Sequence, residues 1–477
     1  MKNQKDHGSN PVIDLSITGI SQKAIAKIVT TWEESGSPPP VIHPDILPQD
    51  KANLITLMHE CISEEGGDIS RQAKVAHLGL IYIGSSKKGK ERLLRILARN
   101  FDVDTMVLDE KIGILRSAKN EAERVRAELM LREALIPPRV KLLRHLIKLP
   151  NGFIFLKDMR RDLLPMIKSI PRLKKLDIDL ENLLSAYFDV NLLDLQEITW
   201  NSPAALLEKL MEYEKVHKIH SWEDLKHRLF TDHRVFAFFH FRMPNDPLIF
   251  LEVALVNGMP GSIQKLLDVH APVTDPAQAD TAIFYSISNT QKGLAGISYG
   301  NFLIKRVVEN LSSELPNLKT FATLSPIPCF RQWLYTYLQE GGDILLPANE
   351  TKKICGLAGK SHAAEGLLEI LRNDSWTKSE EKEKTLRRPL MRLCAHYLIH
   401  VKRGMRAFDP VAHFHLSNGA KIQHIHWMAD VSKKGIRQSC GIMLNYHYRL
   451  NKIVQNHETY LKTGEVYASK DARSWLK

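Results

Sequence analysis

The first part of the chain, from about Pro48 to Tyr187, places its hydrophobic residues at a helical period. In the stretch ERLLRILARNF the leucines and isoleucine share one broad face, and basic residues lie between them, which is typical of an amphipathic helix. Pairs of glycine or proline, and not long loops, separate the successive helical stretches. This spacing favours a compact all-α helical bundle. We therefore predict an N-terminal extension over 1–40 and a helical domain over 41–189.

After about Asp189 the pattern changes to nearly continuous apolar runs of the kind found in buried strands. An amphipathic helix is predicted over 299–315 between the last two of these runs, and a second one over about 383–402. A strand–loop–helix–strand unit with so short a return predicts a parallel crossover. The expected fold is thus multidomain α and α/β, with a mixed α/β domain over 190–477. The strand-like runs are VFAFFHFRM (235–243), PLIFLEVALV (247–256), TAIFYSIS (281–288) and LKTFATLSPIP (318–328).

Two short alternating runs, VAHFHL and KIQHIHW, lie on either side of the turn sequence Ser-Asn-Gly-Ala and predict a β-hairpin. On strands, the histidines of each run would point to one side. Four ring nitrogens could then hold zinc or another transition metal, with Asp409 and Asp430 as flanking carboxylates. Ordinary hydrogen-bonded strand histidines are the alternative, and the residues alone leave both open. The histidines are His413, His415, His424 and His426.

Composition excludes several classes of protein. The chain has 44% hydrophobic and 25% charged residues, and no run approaches the roughly 18 apolar residues of a membrane span. Five cysteines without a C-x-x-C pair suit a reducing compartment, and the N-terminus has no apolar signal region, so we expect a cytoplasmic protein. The net charge of +12 suits a polyanion or a nucleotide cofactor, but no zinc finger, RRM signature or basic tail indicates a nucleic-acid partner.

The loop NTQKGLAGISYGNFLIK is the first candidate for ligand binding. Gly293, Gly296 and Gly300 allow close approach of the backbone, and the amides that begin the following helix could bind an anion. The spacing is neither a Walker A loop nor a Rossmann fingerprint. On spacing alone, a phosphate loop and a tight structural turn both remain possible.

This loop resembles the pyrophosphate-binding loop of the GNAT acyltransferase fold. Together with its surroundings it resembles the malonyl-CoA decarboxylase family over nearly all of the C-terminal domain. The motifs that carry the resemblance occur in the family's order. They are FYSISNTQKGLAGISYGNFLIKRVVENL, LPNLKTFATLSPIPCFRQWL, PLMRLCAHYL, PVAHFHLSNGA and HWMADVSKKGIRQSCGIMLNYHY.

The resemblance implies a GNAT-like catalytic domain that removes CO2 from malonyl-CoA and releases acetyl-CoA. It implies Ser325 as proton acceptor, His415 as proton donor and Tyr448 as a neighbour in the active site. It also implies a dimer or tetramer, and no metal or other cofactor. The residues expected to hold the coenzyme A diphosphate are Ala295, Gly296, Ile297, Ser298, Tyr299, Gly300 and Asn301.

The chemistry of these residue types agrees with that reaction. Loss of CO2 leaves an enolate, whose charge must be stabilised and whose carbon must receive a proton; histidine is a suitable donor. Ser325 could instead be a helix-capping turn residue or a nucleophile, although the G-x-S-x-G elbow is absent. Cys329 is expected to be inert packing, and Glu252 to face solvent or pair with a basic residue, a buried acid or base being the alternative. A GNAT-type acyltransferase and a basic polyanion-binding module are the competing functions.

Overall fold

The computed structural model describes residues 40–63, 67–187, 193–297, 302–341 and 346–477. The predicted extension over 1–40 therefore lies outside the described residues, except for its last position. Among the described residues, none of the helices combines the length and apolar character needed to cross a membrane.

Every regular element described between residues 50 and 185 is helical, in agreement with the periodic pattern of that segment. Side chains at the helix starts satisfy unpaired backbone amides: Ser86 accepts from the amide of Gly89, and Asp104 from those of Met106 and Val107. The α-helices are α1 (Asp50–Ile62), α2 (Gly67–Gly84), α3 (Lys87–Asn100), α4 (Thr105–Ser117), α5 (Glu121–Ala134), α6 (Pro138–Leu146), α7 (Gly152–Leu163) and α8 (Leu173–Ser185).

The rest of the chain is mixed α/β. Its strands are β1 (Leu193–Ile198), β2 (His233–His240), β3 (Ile249–Val256), β4 (Thr281–Asn289), β5 (Thr320–Thr323), β6 (Ser325–Pro326), β7 (Lys402–Arg403), β8 (Arg406–Ala407), β9 (Lys421–His426) and β10 (Met443–His447). Its helices are α9 (Ala204–Tyr213), α10 (Trp222–Arg228), α11 (Ile263–Leu266), α12 (Phe302–Glu314), α13 (Phe330–Gln339), α14 (Ala348–Ala358), α15 (Ala363–Leu371), α16 (Glu380–His400), α17 (Pro410–Ser417), α18 (Lys433–Ser439), α19 (Ile453–Thr463) and α20 (Lys470–Ser474).

The strands, apart from a two-stranded β7–β8 pair, form one mixed sheet in the described part of the chain, in the order β1-β2-β3-β4-β5-β10-β6, with β9 paired to β10. β4 and β5 run parallel and the other pairs antiparallel. The predicted strand–loop–helix–strand unit is thus confirmed as β4, α12 and β5. The central strand β3 is buried along almost its whole length, which explains its continuous apolar run.

The predicted hairpin of histidine strands is wrong in its first half. VAHFHL lies in helix α17, whose first residue is Pro410 and whose N-cap is Asp409. An acceptor side chain followed by proline is a helix-start signal, and it outweighs the alternation of six residues. The Ser-Asn-Gly-Ala sequence consequently ends a helix, and only KIQHIH forms a strand, β9.

Contacts between Cα atoms divide the chain into two compact units. One unit groups helices α1–α8 with the short segments 241–244 and 291–297. The other contains the sheet and the remaining helices. The described part of the glycine-bearing loop therefore packs with the helical unit, although its sequence lies far along the chain.

Candidate active site

Ser325, His415 and Tyr448 form a continuous line of hydrogen bonds in the sheet-containing unit. Ser325 Oγ lies 3.1 Å from His415 Nε2, and His415 Nδ1 lies 2.8 Å from the Tyr448 hydroxyl. All three side chains are buried. The structure therefore brings the three sequence-predicted residues together, with the imidazole between the two hydroxyl groups.

Strand β10 holds two members of this line. Its Leu444 pairs with Ser325 of β6, and Tyr448, directly after the strand, donates its amide to the Phe321 carbonyl at 2.8 Å. Ser325 Oγ also lies 2.8 Å from Thr323 Oγ1. The end of β5 and the end of β10 together fix the serine and the tyrosine on the sheet.

Asp409 joins the serine loop to the histidine helix, a role that the sequence did not reveal. Its Oδ1 accepts from the amides of Val411 and Ala412 and so caps α17. Its Oδ2 accepts from the amide of Cys329, four residues after Ser325, and from the Tyr397 hydroxyl. Burial raises the pKa of this carboxyl group. The capping signal was present in the sequence, but the contact with Cys329 spans 80 residues.

The imidazole of His415 is neutral in the resting protein. Burial lowers its pKa to about 3, because a charged ring would lose its hydration. Tyr446 stacks on the ring, with centroids 4.5 Å apart. If the Tyr448 hydroxyl donates to Nδ1, the proton of the neutral ring lies on Nε2, the nitrogen that faces Ser325.

A cavity of about 240 Å³ opens beside this line of residues. Among the described residues that line it there is no lysine or arginine, and the polar ones include Ser286, Asn289, Ser325 and His415. This described lining therefore offers no cationic side chain to a negative charge. The lining consists of residue 216, residues 284–287 and 289 on β4, 325 and 326 on β6, and 410, 411, 414 and 415 on α17.

The cavity lies where β4 and β5 part. Their parallel pairing runs from Thr281 to Phe284 of β4, whereas the pairing of β4 with β3 continues to Asn289. A register shift between Glu252 and Val253 of β3 leaves Tyr285 of β4 as a bulged residue. Bulges bend a strand and redirect its side chains. The last residues of β4 thus present extended backbone to the cavity instead of to β5.

Buried carboxyl groups lie behind Ser286, and the sequence analysis missed one of them. Glu214 accepts from Ser286 Oγ at 2.5 Å and from Ser288 Oγ at 2.9 Å. Glu252 is fully buried and pairs with Arg228 at 3.0 Å. The predicted pairing with a basic residue is confirmed, and the predicted solvated position is wrong. Burial, followed by repulsion from Glu214, raises the pKa of Glu252, and the contact with Arg228 opposes this shift.

The other three histidines have separate partners and do not form a cage. His413 Nδ1 lies 2.9 Å from the Tyr460 hydroxyl, His424 Nδ1 lies 2.9 Å from Asp471, and His426 bonds Asn445. His413 and His415 are two residues apart on a helix, so they point about 200° apart. In the part of the chain that the structure describes, no group of three or more His, Cys, Asp or Glu residues could hold a metal ion.

The structure describes only part of the predicted diphosphate loop. Ala295, Gly296 and Ile297 are described, and Ser298, Tyr299, Gly300 and Asn301 lie outside the described residues. Gly296 has a φ of +85°, a conformation that favours glycine. Cys329, which is expected to be inert, is the N-cap residue of α13, and burial raises the pKa of its thiol, which disfavours the reactive thiolate.

Comparisons with known proteins agree over both halves of the chain. The sequence model of the malonyl-CoA decarboxylase C-terminal domain matches residues 191–477, and that of the malonyl-CoA decarboxylase N-terminal domain matches residues 101–188. Mitochondrial malonyl-CoA decarboxylase of Anser anser anser is 39% identical over 402 residues, which are 81% of this chain and 80% of the relative. The Rattus norvegicus protein of the same name is 38% identical over 400 residues, 81% of each chain.

Solved structures give the same result. The crystal structure of malonyl-CoA decarboxylase from Rhodopseudomonas palustris matches with a TM-score of 0.81 and 38% identity, over 89% of this chain and 99% of that one. The corresponding protein from Agrobacterium vitis matches with a TM-score of 0.80 and 36% identity, over 89% and 100% of the two chains. The chain therefore belongs to the malonyl-CoA decarboxylase family.

Proposed function

We propose that this chain is a carboxy-lyase that converts malonyl-CoA to acetyl-CoA and CO2 with Ser325 and His415 as a proton-transferring pair. The observation that carries the proposal is the hydrogen-bonded line from Ser325 through His415 to Tyr448, beside a cavity where β4 and β5 part. Membership of the family supports the substrate, and the hydrogen-bonded geometry supports the roles proposed for Ser325 and His415.

The reaction breaks the bond between the carboxylate carbon and the α-carbon of the malonyl group. The electron pair passes to the α-carbon and the thioester oxygen as an enolate, and CO2 leaves. A cavity whose described lining contains no lysine or arginine favours the neutral product CO2 over the carboxylate. Because the thioester accepts the electron pair, the step needs no metal or organic cofactor.

The proton that completes acetyl-CoA comes from the imidazole. His415 donates from Nε2 to the enolate carbon, with the Ser325 hydroxyl 3.1 Å away to relay the proton and to donate a hydrogen bond to developing charge. A neutral imidazole suffices, because the enolate carbon is a stronger base than the imidazolate that the ring becomes after it donates its proton. Tyr448 fixes the tautomer through Nδ1, and a proton from solvent restores the ring.

Several features support a GNAT-like arrangement for coenzyme A over 190–477. In the sequence, the glycine-bearing loop follows β4 and directly precedes α12, and the amides that begin a helix favour an anion. The end of β4 offers its backbone to an extended pantetheine arm. Residues 295–301 would then hold the diphosphate, with 41–189 as the helical domain and 1–40 as an extension.

The cytoplasmic location stays a prediction, since the names of the relatives from Anser anser anser and Rattus norvegicus describe mitochondrial proteins.

The direct test is an assay of the purified full chain with malonyl-CoA. We expect acetyl-CoA and CO2 in equal amounts, without an added metal or acceptor. The competing acyltransferase would consume acetyl-CoA only when an amine acceptor is present. If malonyl-CoA is recovered intact while acetyl groups pass to an acceptor, the decarboxylase proposal fails.

The buried histidine leads to a prediction about pH. In the unfolded chain His415 has a pKa near 6.5, and burial lowers the folded value to about 3. The unfolded state therefore binds more protons between these values, so the free energy of unfolding should fall as pH drops, by up to about 1.4 kcal/mol per pH unit. Urea unfolding of the wild type and His415→Asn at about pH 7 and about pH 5 measures this. An equal loss in both proteins would contradict it.

A homo-oligomer, dimer or tetramer, is the expected assembly, and the helical hairpin of α4 and α5 supports it. None of the residues of α4, all of which the structure describes, is buried. The exposed large apolar residues of the hairpin are Met106, Val107, Ile114, Val125, Leu129 and Met130. A patch of this kind is typical of an interface.

We expect Leu129→Glu to shift the protein toward monomer in size-exclusion chromatography with light scattering, because a charge would have to be buried in the interface. Ile69→Glu, at a helical residue of similar exposure outside the hairpin, should leave the mass unchanged. A wild-type protein that is monomeric at about 10 µM would contradict the assignment, since obligate interfaces normally hold at that concentration.

A further inference from the structure

The described part of the glycine-bearing loop is a compact turn that uses its own amides. Leu294, Ala295 and Ile297 donate their backbone N–H groups to the carbonyls of Gln291, Lys292 and Leu294, respectively. Because these amides are used inside the turn, donors from other parts of the helical unit can bind the turn through its carbonyl oxygens.

Arg160 of helix α7 binds two of these carbonyls. Its Nη1 donates to the oxygen of Gly293 at 3.0 Å and to that of Ala295 at 2.7 Å. Its Nε donates to Asp177 at 2.8 Å, and its Nη2 donates to Glu181 at 3.1 Å. The side chain is 1% exposed, and its charge, together with that of Lys174 on Asp177, is balanced by the two carboxylates. Arg160 thus serves as a rigid template for the loop, since the guanidinium presents its donors in a fixed plane.

Lys157, one turn earlier on the same helix, completes the attachment. Its Nζ donates to Gln291 Oε1 at 2.8 Å. A Cβ atom added to Gly293 would lie only 1.9 Å from the Lys157 carbonyl oxygen. The loop therefore lies directly against the backbone of α7, and only glycine allows this approach.

The contact with Arg160 also sets the direction of a loop amide. The Ala295 carbonyl points at the guanidinium, and in a planar trans peptide the N–H of the next residue points the opposite way. The N–H of Gly296 is consequently directed away from Arg160. Gly296 itself has a positive φ, +85°, a conformation that favours glycine.

We propose that Arg160 is a positioning residue for coenzyme A: by holding the carbonyls of Gly293 and Ala295, it keeps the loop in the form that receives the diphosphate. This inference rests on the proposed function of the loop. Arg160 itself does not touch the substrate and contributes no net charge to the site. Its effect is expected on the affinity for the nucleotide part of the substrate and not on the bond-breaking step.

The test compares two substrates in the full-length protein, malonyl-CoA and malonyl-pantetheine, which lacks every phosphate. In Arg160→Met we expect kcat/KM for malonyl-CoA to fall about 10- to 100-fold through KM, with kcat little changed. The value for malonyl-pantetheine should stay within about 2-fold. Arg160→Lys keeps a charge beside Asp177 but lacks the planar fork, so it should give a smaller loss of the same kind. This second variant serves if the methionine variant does not fold.

Arg139→Met is the matched control. Arg139 is also a buried arginine of the helical unit, 3% exposed, with Asp102 and Asp179 as partners and a bond to the Phe101 carbonyl. It should lower stability without changing the ratio of the two substrates. An equal change of that ratio in Arg139→Met, or an equal loss for both substrates in the Arg160 variants, overturns the inference. A wild type that uses both thioesters equally well would refute the diphosphate role of the loop itself, and one that leaves both intact would refute the decarboxylase function.

Discussion

Replacing His415 with asparagine is expected to lower kcat for malonyl-CoA decarboxylation by about 10²- to 10⁴-fold, the usual range for loss of a positioned proton donor. The enolate would still form beside the neutral cavity, but its carbon would have to take a proton from water. KM should change little, because His415 holds neither the diphosphate nor the pantetheine in the proposed arrangement. Steady-state kinetics with detection of acetyl-CoA measures both constants.

His413→Asn provides the matched control for this variant. His413 lies on the same helix two residues earlier, is partly buried, and bonds Tyr460 instead of Ser325. It should retain near-wild-type kcat. Ser325→Ala is expected to lose activity on the same scale as the His415 variant, and the double variant little more, because residues that act as a unit are not additive. Wild-type turnover in both single variants would refute the catalytic pair.

The second large effect is expected for Asp409→Asn, which should weaken both stability and turnover. One carboxylate caps α17 and also accepts the amide of Cys329. The side-chain amide of asparagine has one oxygen, which can accept either from the helix amides or from the amide of Cys329, but not from both. Its NH2 group would then face an N–H donor at the other place. We expect a loss of about 1–3 kcal/mol in the free energy of unfolding. We also expect a fall of at least about 10-fold in kcat, because the serine and the histidine lose their common support.

Asp104→Asn separates this bracing role from simple helix capping. Asp104 caps α4 through the amides of Met106 and Val107 and is exposed. Asparagine is nearly as good a cap as aspartate, so this variant should change neither stability nor activity measurably. Urea unfolding and steady-state kinetics of both variants give the comparison. Equal effects at the two positions would show that Asp409 acts as a cap and nothing more.

The parts of the fold that the sequence predicted are those encoded locally. Strands β2 to β5 were recognised because each is a nearly continuous apolar run, and α12 and α16 because their apolar residues recur at the helical period. The short run VAHFHL was misassigned, since an alternation of six residues fits a strand as well as a capped turn of helix. Its helix depends on Asp409, whose capping potential was not weighed against the alternation.

In the site, too, the residues within recognisable motifs were predicted, and the contacts between residues far apart in the chain were not. Ser325, His415 and Tyr448 were named through the family resemblance, and the structure shows them in contact. The residues that support the cavity and the glycine-bearing loop could not be found from spacing, because the partners are far apart in sequence. Glu214 and Ser286 are separated by 72 residues, and Arg160 and Gly293 by 133. Burial also lowered the pKa of His415 far below the value of a free imidazole, and no sequence pattern reports such burial.

The packing of segment 291–297 against α7 has a consequence for the inheritance of this protein. Lys157 and Gln291 are in contact across 134 residues, so a cut between Tyr187 and Leu193 would separate surfaces that fit one another. If recombination replaced only the first half of the gene, α7 of another protein would pack against this loop. Gly293 lies so close to the backbone of α7 that the replaced helix would have to follow nearly the same path. We therefore expect the two halves to diverge together, by substitutions on both sides of this contact, and chimaeras joined near residue 190 to fold poorly.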